Sequence, residues 1–406
     1  MNPKKNFFRK VLSNGMTVIL EKRNLPIVSV AIGVKNGGIN ESLEEKGISH
    51  FIEHMLYKGT EKRPNSKIIA AEIEKNGGEL NGFTGEDITA YWCRMPSRKL
   101  KIGLDVLSDI VKNPLFDSRE LEKERKVIFE EIKMRKDSPH VFVVDKAHEF
   151  LYENPFGKSM IGDEKTLNKI DRKKISSKFN EIYSPNNMIL CVVGDCDFKK
   201  LVDFAEKKFK GPKKEIPSFE IKLKNETKIF ERAGVDQANL VFSYHLPLAS
   251  DKKNYAARVL GIVMAGGMSS RLFSEIREKR NLAYGIKEES DISLDFSYGL
   301  IYVGTTKENV AKVKKLILKE FKDVADNLTE KELRGVKEQI IGNHQISMED
   351  SVGQMENLLH FESNGNAREY YDFEKNISSV KLKDVKDIAK SIFKKNSFVA
   401  LIPKNN

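Results

Sequence analysis

Gly47-Ile48-Ser49-His50-Phe51-Ile52-Glu53-His54-Met55-Leu56 places two of the chain's seven histidines four residues apart, with a glutamate between them. At about 100° per residue on a helix, His50 and His54 lie about 40° apart, and Glu53 lies about 60° to the other side of His50. All three share one face. Ile48, Ile52 and Met55 fall on the opposite face, where they can enter a core. A metal site on a packed helix needs this arrangement: two imidazole nitrogens aimed at one point, with a carboxylate beside them to handle a proton. Two histidines one turn apart also suit a solvated pair or a packing accident, so the rest of the chain must decide.

The flanking text is strand-like. Residues 10–21 read as strand, Asn14-Gly15 turn, strand, and residues 26–34 as a strand buried on at least one side. The His50 helix is expected over about 46–58. A helix over about 66–76 follows, closed by Gly77-Gly78. Then come 79–87 and a strand over 88–95 that ends at Pro96. Leu100, Leu104, Leu107 and Val111 mark an amphipathic helix over 98–112.

A long helix over about 118–136 follows, with Asp117 or Ser118 as N-cap. Ile128 and Ile132 each fall within about 20° of Leu121, and the three define its buried stripe. Glu124 and Glu131 lie together on the border of that stripe, and Glu130 faces water. If this helix supplies a third metal ligand, Glu131 is the better candidate, with Glu124 beside it two turns earlier. By themselves both would pass for ordinary surface glutamates.

Composition narrows the class. The chain has 406 residues, 40% of them hydrophobic and 32% charged, enough for two or three globular domains with a sizeable core. It contains no apolar run of eighteen or more residues, so no membrane span or membrane partner is expected. No signal or transit segment is read at the N-terminus. Its three cysteines form no Cys-x-x-Cys pair, so a reducing, cytoplasmic setting is the expectation. The net charge of +11 comes from lysines scattered along the chain, and no nucleic-acid motif accompanies them. A solvated surface explains them better than a nucleic-acid partner.

The Pro- and Lys-rich residues 211–217 read as a linker, and beyond them the pattern repeats at an offset of about 212 residues. Residues 239–244 stand where 28–32 stood, and a helix over about 251–264 takes the place of the His50 helix. Thr329 opens a long helix as Asp117 did, and 392–402 echo 182–192. At that offset His50, Glu53 and His54 become Ile262, Ala265 and Gly266, and Glu131 becomes Asn343. The second copy has the frame and none of the ligands. The fold expected is α+β: two duplicated domains, each a mainly antiparallel sheet flanked by helices. The boundaries expected are 1–211 for the zinc-binding catalytic domain, 212–227 for the linker and 228–406 for the copy.

With these features the chain resembles the pitrilysin/insulinase family of inverted-motif (HxxEH) zinc metallopeptidases, the inverzincins. It is most similar to the short two-domain branch that includes mitochondrial processing peptidase and its bacterial relatives. The resemblance covers about 8–400. It rests on the His50 to His54 motif, on the Glu124/Glu131 pair at a family-like distance, on Gly77-Gly78-Glu79-Leu80-Asn81-Gly82-Phe83-Thr84, and on Arg277 with Tyr284 in Arg277-Glu278-Lys279-Arg280-Asn281-Leu282-Ala283-Tyr284. It implies a zinc metalloendopeptidase acting on peptides or unfolded protein segments, with one Zn2+ per chain held by His50, His54 and Glu131. Glu53 is then the general base that works on zinc-activated water, and Glu124 supports the site from behind the ligands. Asn81, Gly82 and Phe83 pair with substrate backbone, while Arg277 and Tyr284 donate hydrogen bonds to substrate carbonyls. A two-domain chain of this kind is expected to form a homodimer in which Arg277 and Tyr284 serve the partner's site. The alternative is a weakly active binding or assembly subunit of a hetero-oligomeric peptidase. Only Gly266-Gly267-Met268 stands where the non-catalytic subunit of mitochondrial processing peptidase carries a long glycine-rich loop, which argues against that subunit.

Overall fold

The computed structural model describes residues 3–404. The first half of the chain forms, in order, β1 (Phe7–Val11), β2 (Thr17–Lys22), β3 (Ile27–Val34), α1 (Ile48–Leu56), α2 (Ser66–Glu74), β4 (Glu79–Thr84), β5 (Thr89–Pro96), α3 (Leu100–Lys112), α4 (Ser118–Asp137), α5 (Pro139–Leu151), α6 (Glu164–Leu167), α7 (Arg172–Ile182), β6 (Met188–Gly194) and α8 (Phe198–Lys208). The second half forms β7 (Thr227–Arg232), β8 (Ala238–His245), α9 (Asn254–Ala265), β9 (Ala283–Ile292), β10 (Ser297–Thr305), α10 (Val310–Asn327), α11 (Glu330–Ser347), α12 (Ser351–Ser363), α13 (Phe373–Ser379), α14 (Leu382–Lys394) and β11 (Ser397–Pro403). Among the described residues no helix is long and apolar enough to cross a membrane.

The strands build two sheets of matching design. One runs β1-β2-β6-β3-β5-β4 and the other β7-β11-β8-β10-β9. In each a single parallel pair, β2 with β6 or β7 with β11, joins an otherwise antiparallel ladder. The fold is α+β and duplicated, as the 212-residue repeat requires. The central strands are apolar on both faces, and every residue of β6 is buried. A strand of that kind needs a covering layer on each side.

Those layers are not supplied in chain order. Contacts group residues up to 132, 159–220 and 347–371 into one compact unit, and 133–158, 221–346 and 372 onward into another. The expected division into 1–211 and 228–406 therefore does not describe the packing. In the first unit α12, from the second half of the chain, lays Val352, Met355, Leu358 and Leu359 against the face of Ile19, Ala31, Ile189 and Cys191. In the second unit α5, from the first half, lays Val143 and Ala147 against Val241, Leu300, Val399 and Leu401. The two copies have exchanged equivalent helices. The periodicity of an amphipathic helix does not say which sheet it covers.

In the first unit, α1 is set by its apolar face and by a cap distant in sequence. Ile48, Phe51, Ile52, Met55 and Leu56 are fully buried in the main core with α3, α4 and β3, each contributing roughly 1.5–3 kcal/mol. The buried Glu41 carboxylate accepts from the Gly47 N–H (3.1 Å) and the Ser49 N–H (2.8 Å). It thereby satisfies donors that the helix itself leaves open and opposes the positive end of its dipole. Gly47 has φ 95° and meets the Ile161 carbonyl 2.7 Å from where a Cβ would stand, so a side chain there is excluded twice.

Candidate metal centre

His50 is buried and His54 half-buried on α1, and Glu131 reaches them from α4. The Glu131 Oε2 lies 3.6 Å from His50 Nε2 and 3.8 Å from His54 Nε2. All three ligand atoms fall within 4.8 Å of one another. Ligand atoms about 2.0–2.2 Å from a tetrahedral zinc stand about 3.3–3.6 Å apart. The 3.6 and 3.8 Å separations lie at and just above that range, and two imidazoles with one carboxylate are a zinc-type donor set. The helical phases place Glu131 here as read from sequence, while Glu130 is exposed.

Glu124 approaches the same site from behind. Its Oε2 is 3.1 Å from His54 Nδ1 and its Oε1 is 2.5 Å from Lys58 Nζ. A proton on Nδ1 donated to Glu124 leaves His54 Nε2 bare and facing Glu131, the form a metal needs. Burial alone would raise the Glu124 carboxyl. The hydrogen bonds from His54 and Lys58 and the Lys58 charge outweigh it and hold the group below the usual carboxylate range. Lys58 was not singled out from sequence, although its i, i+4 spacing from His54 puts it on that face. Lys58→Met is expected to weaken zinc binding by about tenfold, the lower end of what loss of an outer partner costs, as measured by competition with a chelating dye.

Glu53 lies beside the ligand set, half-buried, and its Oε2 accepts a 2.8 Å hydrogen bond from the Thr84 hydroxyl on β4. Burial raises its carboxyl above the ordinary range. The Thr84 bond and His54 offset part of that, and Glu131 adds to it. A carboxyl shifted upward in this way is a better proton acceptor than an ordinary one.

Among the described residues β4 forms one edge of its sheet and pairs only with β5. It carries Asn81, Gly82 and Phe83. The Tyr57 hydroxyl donates to the Asn81 carbonyl (2.7 Å), and the Gly82 N–H donates to the Asn81 side-chain oxygen (2.8 Å). A Cβ at Gly82 would stand 2.9 Å from the Ala90 carbonyl oxygen of β5 and on top of the Tyr57 hydroxyl, so a side chain there would displace Tyr57 and crowd the neighbouring strand. An open cavity of about 320 Å³ adjoins Glu53 and His54, with Tyr57, Ile69, Ala70 and Leu80 among its walls.

In the second unit Arg277 and Tyr284 come together. The Arg277 guanidinium donates to the Tyr284 carbonyl (2.8 Å) and stacks over the rings of Phe273 (4.8 Å) and Tyr284 (4.9 Å). Tyr284 is 82% exposed, so it is no core residue. Ile262 and Ala265 occupy α9 and Asn343 occupies α11, so this unit repeats the frame with apolar or neutral groups in place of the ligands.

The family model for insulinase (peptidase family M16) matches residues 17–164, and that for the peptidase M16 inactive domain matches residues 169–340. A protein of Rickettsia felis named an uncharacterized zinc protease is 32% identical over 99% of both chains. A Bacillus subtilis protein of the same description is 30% identical over 97% of both. The crystal structure of a protease from Helicobacter pylori superposes with a TM-score of 0.90 at 23% identity, covering 98% of this chain and 99% of that one. With full-length relatives and both family models in agreement, the chain belongs to peptidase family M16, the insulinase family.

Proposed function

We propose that this protein is a zinc-dependent endopeptidase that hydrolyses peptides or unfolded protein segments. The observation that carries this reading is the convergence of His50, His54 and Glu131 next to a half-buried Glu53 that faces an open strand edge. One zinc per chain would be held by those three side chains. When bound, it supplies the Lewis acidity that polarises a peptide carbonyl and makes water a nucleophile at neutral pH.

The chain's own residues do the rest. A substrate segment adds to the free edge of β4 along Asn81, Gly82 and Phe83, pairing with the backbone groups that point away from β5. This requires an extended substrate, hence a peptide or an unfolded region. A side chain next to the scissile bond enters the cavity beside Tyr57 and Ile69. Glu53 takes a proton from the attacking water and returns it to the leaving amine. Glu124 keeps His54 in the right tautomer. Arg277 and Tyr284 of a second copy donate to the carbonyl oxygen as charge develops on it, which makes a homodimer the working unit.

The purified protein is expected to carry zinc and to elute from gel filtration at twice the mass of one chain. It is expected to cleave an internally quenched unfolded peptide, to lose that activity to a chelator and to regain it with added zinc. A zinc-loaded dimer that cleaves no unfolded peptide would leave it as a binding or assembly subunit instead.

A further inference from the structure

The geometry points to Thr84 as a positioning residue for hydrolysis, holding the Glu53 carboxylate through its hydroxyl; the inference rests on the peptidase reading above. The pleat of β4 presents alternate residues to α1. Leu80 packs into the core that contains Ile52 and Met55, Gly82 lies under the Tyr57 hydroxyl, and Thr84 reaches Glu53. Phe83 points the other way, into the apolar layer formed with α12. Strand register therefore decides that the hydroxyl, and not a neighbouring side chain, meets the carboxylate.

A glutamate has three side-chain torsions, and the last is broad. Packing of α1 fixes where the Glu53 side chain starts but not where its carboxylate points. The Thr84 bond, 2.8 Å to Oε2, supplies that last constraint. It uses one of about four lone-pair sites on the carboxylate and leaves Oε1 to take and return the proton. A hydroxyl donates to an acid's carbonyl oxygen too, though less strongly than to a carboxylate, so the bond is weakened but kept on protonation at Oε1. The group is held through both halves of the proton transfer. A β-branched residue is also the one that suits a strand end, so the same side chain serves fold and site.

Thr84→Val keeps the branched shape and removes only the donor, whereas Thr84→Ser keeps the donor and removes a methyl group. On a quenched unfolded peptide, Thr84→Val is expected to lower kcat about tenfold, as loss of one hydrogen bond to a charged group does. KM should stay within about twofold. Zinc affinity by dye competition and the thermal midpoint should be unchanged, and Thr84→Ser should recover most of kcat. Wild-type kcat in Thr84→Val would overturn the proposal. So would Thr84→Ser as slow as Thr84→Val, or a fall in zinc affinity that accounts for the fall in rate. Those failures are distinct from failure of the peptidase reading, which would appear as zinc-loaded wild type no faster than Glu53→Gln.

Discussion

Glu53→Gln is expected to leave zinc content unchanged and to slow hydrolysis of an unfolded peptide by about a thousandfold, within the range that loss of a general acid–base group costs. The substitution is nearly isosteric. Its amide oxygen can still accept from the Thr84 hydroxyl, so the side chain keeps its place between α1 and β4. The apolar face of α1 and the three candidate ligands are untouched. What disappears is the ability to accept a proton and pass it on. Zinc per chain by elemental analysis, together with kcat on the same preparation, checks the expectation. A zinc-loaded Glu53→Gln protein as fast as wild type would end the peptidase reading.

The same chemical change at Glu131 is expected to act on the opposite readout. Glu131→Gln removes the only anionic member of the ligand set, whose Oε2 stands 3.6 and 3.8 Å from the two imidazole nitrogens. Zinc affinity should fall by more than the roughly hundredfold that loss of an outer partner costs, and activity should fall with it. Glu130→Gln, one position away on the exposed face of α4, should change neither quantity. Chelator competition and kcat measured on Glu131→Gln and Glu130→Gln together separate a ligand from a surface glutamate. Equal zinc affinity in Glu131→Gln and wild type would remove Glu131 from the site.

Much of this centre was legible because it lies within single helices. His50, Glu53 and His54 share a face through 3.6-residue periodicity alone. The same rule separated Glu131 from Glu130, since Leu121, Ile128 and Ile132 announce which side of α4 is buried. The duplication was legible because the repeated pattern is long and its offset nearly constant, and the loss of ligands in the second copy followed from counting positions. Thr84 was quoted within the β4 stretch yet not singled out. Its role depends on which face of the strand meets α1, and Leu80 entering the core is the signal that could have shown it. Glu41, the cap of α1, lies outside the helix in a segment with no pattern to read.

The sequence by itself determined the α+β class, the two copies of one unit and a metal-type motif in the first copy, because each is written in local periodicity or internal repetition. Only the tertiary structure decided that α5 and α12 cover the sheets of each other's repeats, because an amphipathic helix carries no label for the face it will bury. It alone brought Lys58 behind Glu124 and the Thr84 hydroxyl onto Glu53. Those contacts depend on how α1 seats against α4 and β4, and that seating is set by the packing of the whole core around Phe51, Ile52 and Met55.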